Sequence, residues 1–436
     1  MRTLLIRDAT IVTLDASRRV VRGDVRIEEG HITHVGDAPQ HADDTIDAAG
    51  DILIPGLVNA HTHAAMTILR GLGDDLPLEE WLRTRIWPAE RTLTHEDVVA
   101  GTELAHLEML RTGTVAYNDM YFFAESTAAA VDSAGLRARI GATIIDFDTP
   151  ELKRGDQAAH ARRLIQKYAK HDRISVSIAP HSVYSCSDAT LGEVRAIRDE
   201  LGAQVHTHCS ETRFEVQDTL AKRGARPVEV LRKHDLLRGS VLAHCGWVTK
   251  EEIRTMAAEG SHAAHCPVSN MKLATGGTMP LVEMWGAGVN VGIGTDGAAS
   301  NNSLDLVGEM KFAALVQKQH RWDARAAPAG RILEAATLGG RRALGLSAGG
   351  IAVGEPADLA LVSTHAPHMR PQHDPASTLV HCATGSDVRA TIVAGRVLYM
   401  DGAWRTLDAG DIMRRADSAG ARLAKVVADG LGPART

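Results

Sequence analysis

The stretch Ile52–Met66, ILIPGLVNAHTHAAM, decides how this chain is read. Its apolar run ILIPGLV has the character of a buried strand, and two histidines, His61 and His63, stand two positions apart where that strand ends. Side chains alternate along a strand, so residues two apart share a face and both imidazoles point the same way. Such a pair can chelate one metal ion. Taken alone it is equally consistent with two solvated or hydrogen-bonded polar residues, so its meaning depends on what the rest of the chain places beside it.

Upstream of this stretch the chain reads as β structure. TLLIRDATIVTL is rich in β-branched residues, and VRIEEGHITHVG reads as two strands around a turn at Glu29-Gly30. Downstream, short apolar strands alternate with helical segments. The strands TVAYNDM, RARIGATII, ISVSIAPHS, AQVHTHCS, SVLAHCGWV, SHAAHCPVS and VNVGIGTDGAAS follow the first in turn. Thr94 with Asp97, and Thr249 with Glu252, form capping signatures for two of the intervening helices, and Gly113 supplies a stop. Eight strand–helix units in about 250 residues predict a closed parallel (β/α)8 TIM barrel. The alternative, an open doubly wound sheet, usually carries a G-x-G-x-x-G turn after its first strand, and none appears. After about residue 345 the segments DLALVS, LVHCATG, RATIVAG and RVLYMDGAWR read as short strands, with a hairpin turn at Asp401-Gly402, and residues 409–429 read as a terminal helix. The expected organisation is a small β-sandwich domain built from both chain ends. Residues 1–57 supply its N-terminal part, 58–345 form the barrel, and 346–436 supply its C-terminal part plus the terminal helix.

Composition narrows the function classes. A net charge of −6 with no long basic block argues against nucleic acid as a partner. Five cysteines, an odd number without a C-x-x-C pair, argue against a disulfide framework or a cysteine zinc site and fit a reducing compartment. Arg7 and Asp8 interrupt the N-terminal apolar run before it resembles a signal segment, and no stretch reaches the roughly 18 apolar residues of a membrane span. A cytoplasmic protein, with neither nucleic acid nor membrane as partner, is expected.

The histidine pair has company. His181 ends strand four, His208 strand five, His244 strand six, His265 lies near the end of strand seven, and Asp296 ends strand eight. All fall on the C-terminal rim, where a barrel keeps its chemistry. Imidazole nitrogen with carboxylate oxygen suits zinc, with iron and manganese as alternatives, and such an ion lowers the pKa of a bound water toward about 7. His206 shares a face with His208, but His208 is nearer the rim and is the better ligand, leaving His206 a layer deeper. Glu211, three residues on, can reach over the site and move protons to or from a substrate nitrogen; the plainer alternative is a helix N-terminal charge. Strand four contains no lysine, so a carbamylated lysine between two metals is not indicated and a single ion is favoured. No G-x-S-x-G elbow offers a serine nucleophile.

The segments PGLVNAHTHAAMTILRGLGDDLPLEEWL, HTHCSET, LAHCGWV, HCPVSNMKLATG and GTDGAASNNSLDL together resemble the amidohydrolase superfamily, and within it the 5′-methylthioadenosine/S-adenosylhomocysteine deaminases. The resemblance runs over nearly the whole chain. It implies one divalent ion, zinc first with iron or manganese as alternatives, held by His61, His63, His208 and Asp296. It implies that Glu211 meets the purine and passes a proton to N1, and that Asp296 relays a proton to the leaving amine. It also implies that His244 orients the attacking oxygen, that His181 contacts the substrate, and that Glu90 accepts from the ribose hydroxyls. The role of His265 stays open. Met66, Trp81, Trp87, Met120 and Phe122 are candidates for an apolar tail pocket, with ordinary core as their alternative. Some members carry an arginine at the end of strand three; here Ala142 stands there, and Arg154 is the candidate substitute. The implied activity is hydrolytic deamination of the adenine ring of 5′-methylthioadenosine, S-adenosylhomocysteine and adenosine, small nucleosides all. The alternatives are a deaminase of guanine, 8-oxoguanine, cytosine or a triazine, and a non-catalytic barrel scaffold. A homo-oligomer is compatible with the chain, which carries no interface signature.

Overall fold

The structure is a computed structural model that describes residues 3–431. Eight parallel strands form its centre: β1 (Leu57–Thr62), β2 (Thr114–Tyr121), β3 (Arg137–Ile144), β4 (Ile174–Pro180), β5 (His206–Cys209), β6 (Val241–His244), β7 (His262–His265) and β8 (Asn290–Ile293). They pair in sequence as two four-stranded ladders, β1–β4 and β5–β8. A bridge from Ile178 to Val205 joins the ladders on one side. On the other, the Asp296 amide donates to the His61 carbonyl (3.0 Å) and the Thr295 amide to the Asn59 side chain (3.1 Å), which brings the chain after β8 against β1. The order is that of the (β/α)8 barrel the strand count predicts.

Local chemistry accounts for the helices that set this geometry. Thr94 accepts from the Asp97 amide while the Asp97 carboxylate accepts from the Thr94 amide (2.8 Å), a reciprocal cap that starts the helix His95–Arg111. Thr249 and Glu252 repeat the device at Lys250–Ala258. Gly113 follows the first helix at φ +87°, a conformation that costs a side-chain-bearing residue. The segment LVHCATG, read as a strand, instead contributes to the helix Pro375–His381. Asp374 caps it through the Ala376 amide (2.9 Å) and Pro375 occupies the first turn, where its missing N–H costs nothing.

Both chain ends meet in one nine-stranded sheet. Its centre is the antiparallel pair of Leu359–Val362 with Ile52–Pro55. From there the order runs to Thr3–Val12, Val20–Glu28 and His31–Gly36 on one side and to Val388–Val393, Arg396–Met400 and Ala403–Trp404 on the other. His31 bridges back to Pro356, so the sheet curls over its own apolar face. Ile6, Val25, Ile32, Leu53, Leu361 and Ile392 share that core. The chain crosses into the barrel at Gly56, where any Cβ would stand 2.3 Å from the Val115 side chain. The terminal helix Ala409–Leu431, by contrast, lies on the barrel: its Ala416, Ala419 and Leu423 pack with Leu69, Trp81 and Ala89, and Arg422 pairs with Asp97. No helix among the described residues is long and apolar enough to cross a membrane.

One buried charge cluster ties the sheet to the barrel. Asp358, fully buried, accepts from Arg137 Nε of β3 (2.9 Å), Arg341 Nη2 (3.1 Å) and the Ala394 amide (2.8 Å). Burial opposes its charge, but the two guanidiniums outweigh burial and hold its carboxyl below the usual range. Asp358→Asn leaves two arginines facing a neutral amide, and we expect a loss of about 3–5 kcal/mol in urea unfolding, the usual consequence of breaking a buried pair; a loss under ~1 kcal/mol would show that the cluster is dispensable.

Candidate metal centre and substrate pocket

The four predicted metal donors leave the barrel rim from three strands. His61 and His63 flank Thr62 at the end of β1, and the Thr62 hydroxyl donates to the Asp296 carbonyl (2.9 Å). His208 sits in β5, and Asp296 follows β8. Asp296 takes φ +61° and His244 φ +71°, left-handed conformations that cost a non-glycine residue about 1–2 kcal/mol. The surrounding contacts hold both in place and aim their side chains inward.

One ligand atom from each of His61, His63, His208 and Asp296 lies within 4.8 Å of all the others. His61 Nε2 and His63 Nε2 stand 3.3 and 3.1 Å from Asp296 Oδ1, and His208 Nε2 is 3.3 Å from His63 Nε2. Bonds of about 2.0–2.1 Å in a tetrahedral array place donors about 3.3 Å apart, so the spacing fits one small divalent ion. The opposite ring nitrogens are engaged outward. His63 Nδ1 donates to the Met120 carbonyl, and His208 Nδ1 to the His181 carbonyl (2.8 Å). A carbonyl can only accept, so the protons sit on Nδ1 and the lone pairs of both Nε2 atoms face the centre. His61 Nδ1 meets His206 Nε2 at 2.8 Å, which places His206 a layer deeper, and His61 Nε2 is buried with Asp296 Oδ1 beside it but outside hydrogen-bond geometry. Three imidazole lone pairs and a carboxylate thus converge on one point, a donor set for a divalent metal.

The electrostatics agree. Burial opposes a charge on His63, yet Asp296 and the Met120 carbonyl hold its pKa up at about 9. Burial would raise the Asp296 pKa, but His61 and His63 keep it well below the carboxylate range. Burial, with His63 and His244 adding to it, takes His61 down to about 3 despite Asp296. The buried Asp296 carboxylate thus favours positive charge at this point, which His63 can carry, while burial keeps His61 neutral.

The residues expected to meet substrate line one cavity above these donors: Glu90, His181, Glu211 and His244 join His63, His208 and Asp296 on its wall. Glu211 is fixed at the backbone, since the Ser210 and Glu211 amides donate to the Glu215 carboxylate (2.9 and 2.7 Å). Burial raises the Glu211 pKa, with Asp296 adding to it and His244 and His63 opposing it. Glu211 Oε2 stands 3.9 Å from His244 Nε2. With the Asn270 amide donating to His244 Nδ1 (3.2 Å), the His244 proton is on Nε2, toward Glu211. Glu90 Oε1 accepts from the Tyr121 hydroxyl (2.9 Å), and burial takes its pKa up to about 7. His181 lies beside His208, ring centroids 4.8 Å apart, and burial takes it down to about 4. Met66, Trp81, Trp87, Met120 and Phe122 line the same cavity. Two residues go elsewhere. Arg154 pairs with Glu193 (2.9 Å) and Asp146 (3.6 Å), away from the cavity. His265 is buried with both ring nitrogens unpartnered, in a separate cleft behind Asn270.

Sequence reasoning missed the residues that hold Asp296. Ser269 and Ser300 both donate to its Oδ2 (2.6 and 2.7 Å), which leaves Oδ1 to face the histidines. Both serines stand in runs the sequence displays, HCPVSN and GAASNN, but neither type signals a role until the fold closes them onto the carboxylate. Residues that orient a metal ligand typically change metal affinity 10–100-fold. The double variant Ser269→Ala/Ser300→Ala is expected to lose about tenfold or more in affinity in competition with a chelator while keeping its fold by circular dichroism; unchanged affinity would remove the serines from the site.

Comparison with known proteins places this geometry. The amidohydrolase family profile matches residues 52–398. The chain is 43% identical over 424 residues to a 5-methylthioadenosine/S-adenosylhomocysteine deaminase of Nitratidesulfovibrio vulgaris, covering 95% of this chain and 96% of that one. It is 44% identical over 407 residues to a 5′-deoxyadenosine deaminase of Methanothermobacter thermautotrophicus, covering 92% and 95%. Among solved structures, an adenosine deaminase of Xanthomonas campestris with bound zinc superposes with a TM-score of 0.92 at 38% identity, covering 97% of this chain and 98% of that one. Profile, relatives and structure agree on one conclusion: the chain belongs to the amidohydrolase family.

Proposed function

We propose that the protein is a zinc-dependent aminohydrolase that converts the adenine ring of 5′-methylthioadenosine, S-adenosylhomocysteine and related adenosines to the hypoxanthine product, releasing ammonia. The carrying observation is the placement of one buried carboxyl, Glu211, beside His244 on the wall above the His61, His63, His208 and Asp296 donors. The names of the relatives point to the same ring chemistry. A divalent ion held by the four donors supplies an activated water at neutral pH.

The chain's own groups do the rest. Glu211, whose raised pKa favours the acid form, donates its proton to N1 and makes C6 the better electrophile. The Nε2–H of His244 steadies the attacking oxygen. Asp296 takes the water's proton and passes it to the departing nitrogen. The C6–N bond breaks and a C6–O bond forms; one proton of the water leaves in ammonia by way of Asp296, and the other passes from the new C6 hydroxyl to Glu211, restoring the acid whose own proton stays on N1 as the ring carbonyl forms. Glu90 accepts from the ribose hydroxyls, which separates this reading from deamination of a free base. His181 supports the ring beside His208. All five cysteines are free, which suits work in a reducing cytoplasm.

Ammonia release is expected from 5′-methylthioadenosine and adenosine and not from guanine or cytosine; the reverse pattern would sink the reading. Glu211→Gln should retain metal and lose at least the ~10²-fold in kcat of a missing general acid–base group. Glu90 is a full acceptor only when ionised, so kcat/KM for ribosides should fall as pH drops through about 7. Glu90→Gln should lack that acid limb and discriminate less against 2′-deoxyadenosine; an unchanged profile would take Glu90 off the ribose.

A further inference from the structure

The outer half of the cavity has a composition unlike the rest of the chain. Aromatic residues make up only 4% of the sequence, yet Trp81, Trp87, Tyr121, Phe122, Phe147 and Tyr184 all line this cavity. Trp87, Phe147 and Tyr184 are 43, 48 and 46% exposed, so large apolar faces stand open where nothing in the protein covers them. Charge is equally one-sided. The acidic residues of the wall are Glu90, Glu211 and Asp296, and among the described residues no lysine or arginine lines it. Arg154 is held by Asp146 and Glu193; Arg85 packs its stem along Gly73 and, although its Nη1 is buried without a partner, it does not reach the lining of the cavity.

We infer that the 5′ subsite selects uncharged, apolar substituents, alkyl or aryl thioethers, over a zwitterionic amino-acid tail. This rests on the adenosine-type deamination proposed above. With C6 at the metal donors and the ribose at Glu90, the 5′ carbon faces the aromatic mouth. A methylthio or arylthio group there covers exposed rings and leaves water. The carboxylate of an amino-acid tail finds no cation in the wall and must stay hydrated or lie unpaired against apolar surface, which is costly. Its ammonium gains nothing from Glu90, which the ribose hydroxyls occupy. The difference falls on kcat/KM, because the tail is held alike in ground and transition states.

The test compares kcat/KM of the metal-loaded enzyme for four compounds: 5′-methylthioadenosine, 5′-phenylthio-5′-deoxyadenosine, S-adenosylhomocysteine and the methyl ester of S-adenosylhomocysteine. We expect the phenylthio compound to match or exceed the methylthio compound. S-adenosylhomocysteine should fall about tenfold or more below it, and the ester, lacking the carboxylate, should recover most of that loss. Phe147→Arg, at the open rim, should narrow the gap between S-adenosylhomocysteine and the methylthio compound at least about threefold by giving the carboxylate a partner. Equal kcat/KM for the methylthio compound and S-adenosylhomocysteine, or no gain on esterification, would overturn the inference while leaving the deaminase reading intact. Absence of ammonia from every adenine nucleoside would overturn the deaminase reading itself.

Discussion

Asp296 carries a negative charge at a point that water scarcely reaches, and most of the rim is arranged around that fact. An isolated carboxylate so placed would take up a proton. Here Oδ2 receives two serine hydroxyls and Oδ1 faces His61 and His63, so the charge persists and its pKa stays low. The barrel closes at the same place, because the Asp296 amide donates to the His61 carbonyl. The ladder that completes the fold and the donor set that completes the site therefore share their hydrogen bonds. Disturbing the junction of β1 and β8 disturbs both.

Much of this was legible in the residues. Period-two spacing put His61 and His63 on one face, and the strand count put His208, His244 and Asp296 on one rim; the folded chain brings them together. The reciprocal caps at Thr94 and Thr249 were equally readable, since a cap is a local contract between residues three apart. What was not legible is long-range. Ser269 reaches Asp296 across 27 residues and Asn270 reaches His244 across 26, so only closure of the rim reveals their duty; Ser300, four residues from Asp296, is near in the chain but depends on the turn after β8 to aim it. The misread segment LVHCATG shows a different failure: β-compatible residues yielded to the cap and proline just before them, at Asp374-Pro375. Arg154 follows β3 closely enough in the chain to suggest the tail, but the carboxylates of Asp146 and Glu193 hold it.

Carboxyl groups of one type do different work here because their surroundings differ. Burial raises Glu90, Glu211 and Glu215, but Glu215 spends its oxygens on two backbone amides and serves as scaffold. Glu211 keeps its side chain free above the donors and can exchange a proton. Glu90 already accepts from the Tyr121 hydroxyl. What each carboxyl bonds to, rather than its residue type, sets how readily it gives up or holds a proton.

The terminal helix Ala409–Leu431 rests on Leu69, Trp81 and Ala89, behind the wall from which Trp81 lines the cavity. Its ion pair from Arg422 to Asp97 anchors it to the helix that the Thr94 cap begins. The last stretch of the chain therefore works as a buttress: a truncated polypeptide ending before residue 409 would keep every metal donor yet lose the backing that holds the aromatic panel upright. Damage at the far end of the sequence would be felt as slack in substrate grip, with the chemical machinery itself intact.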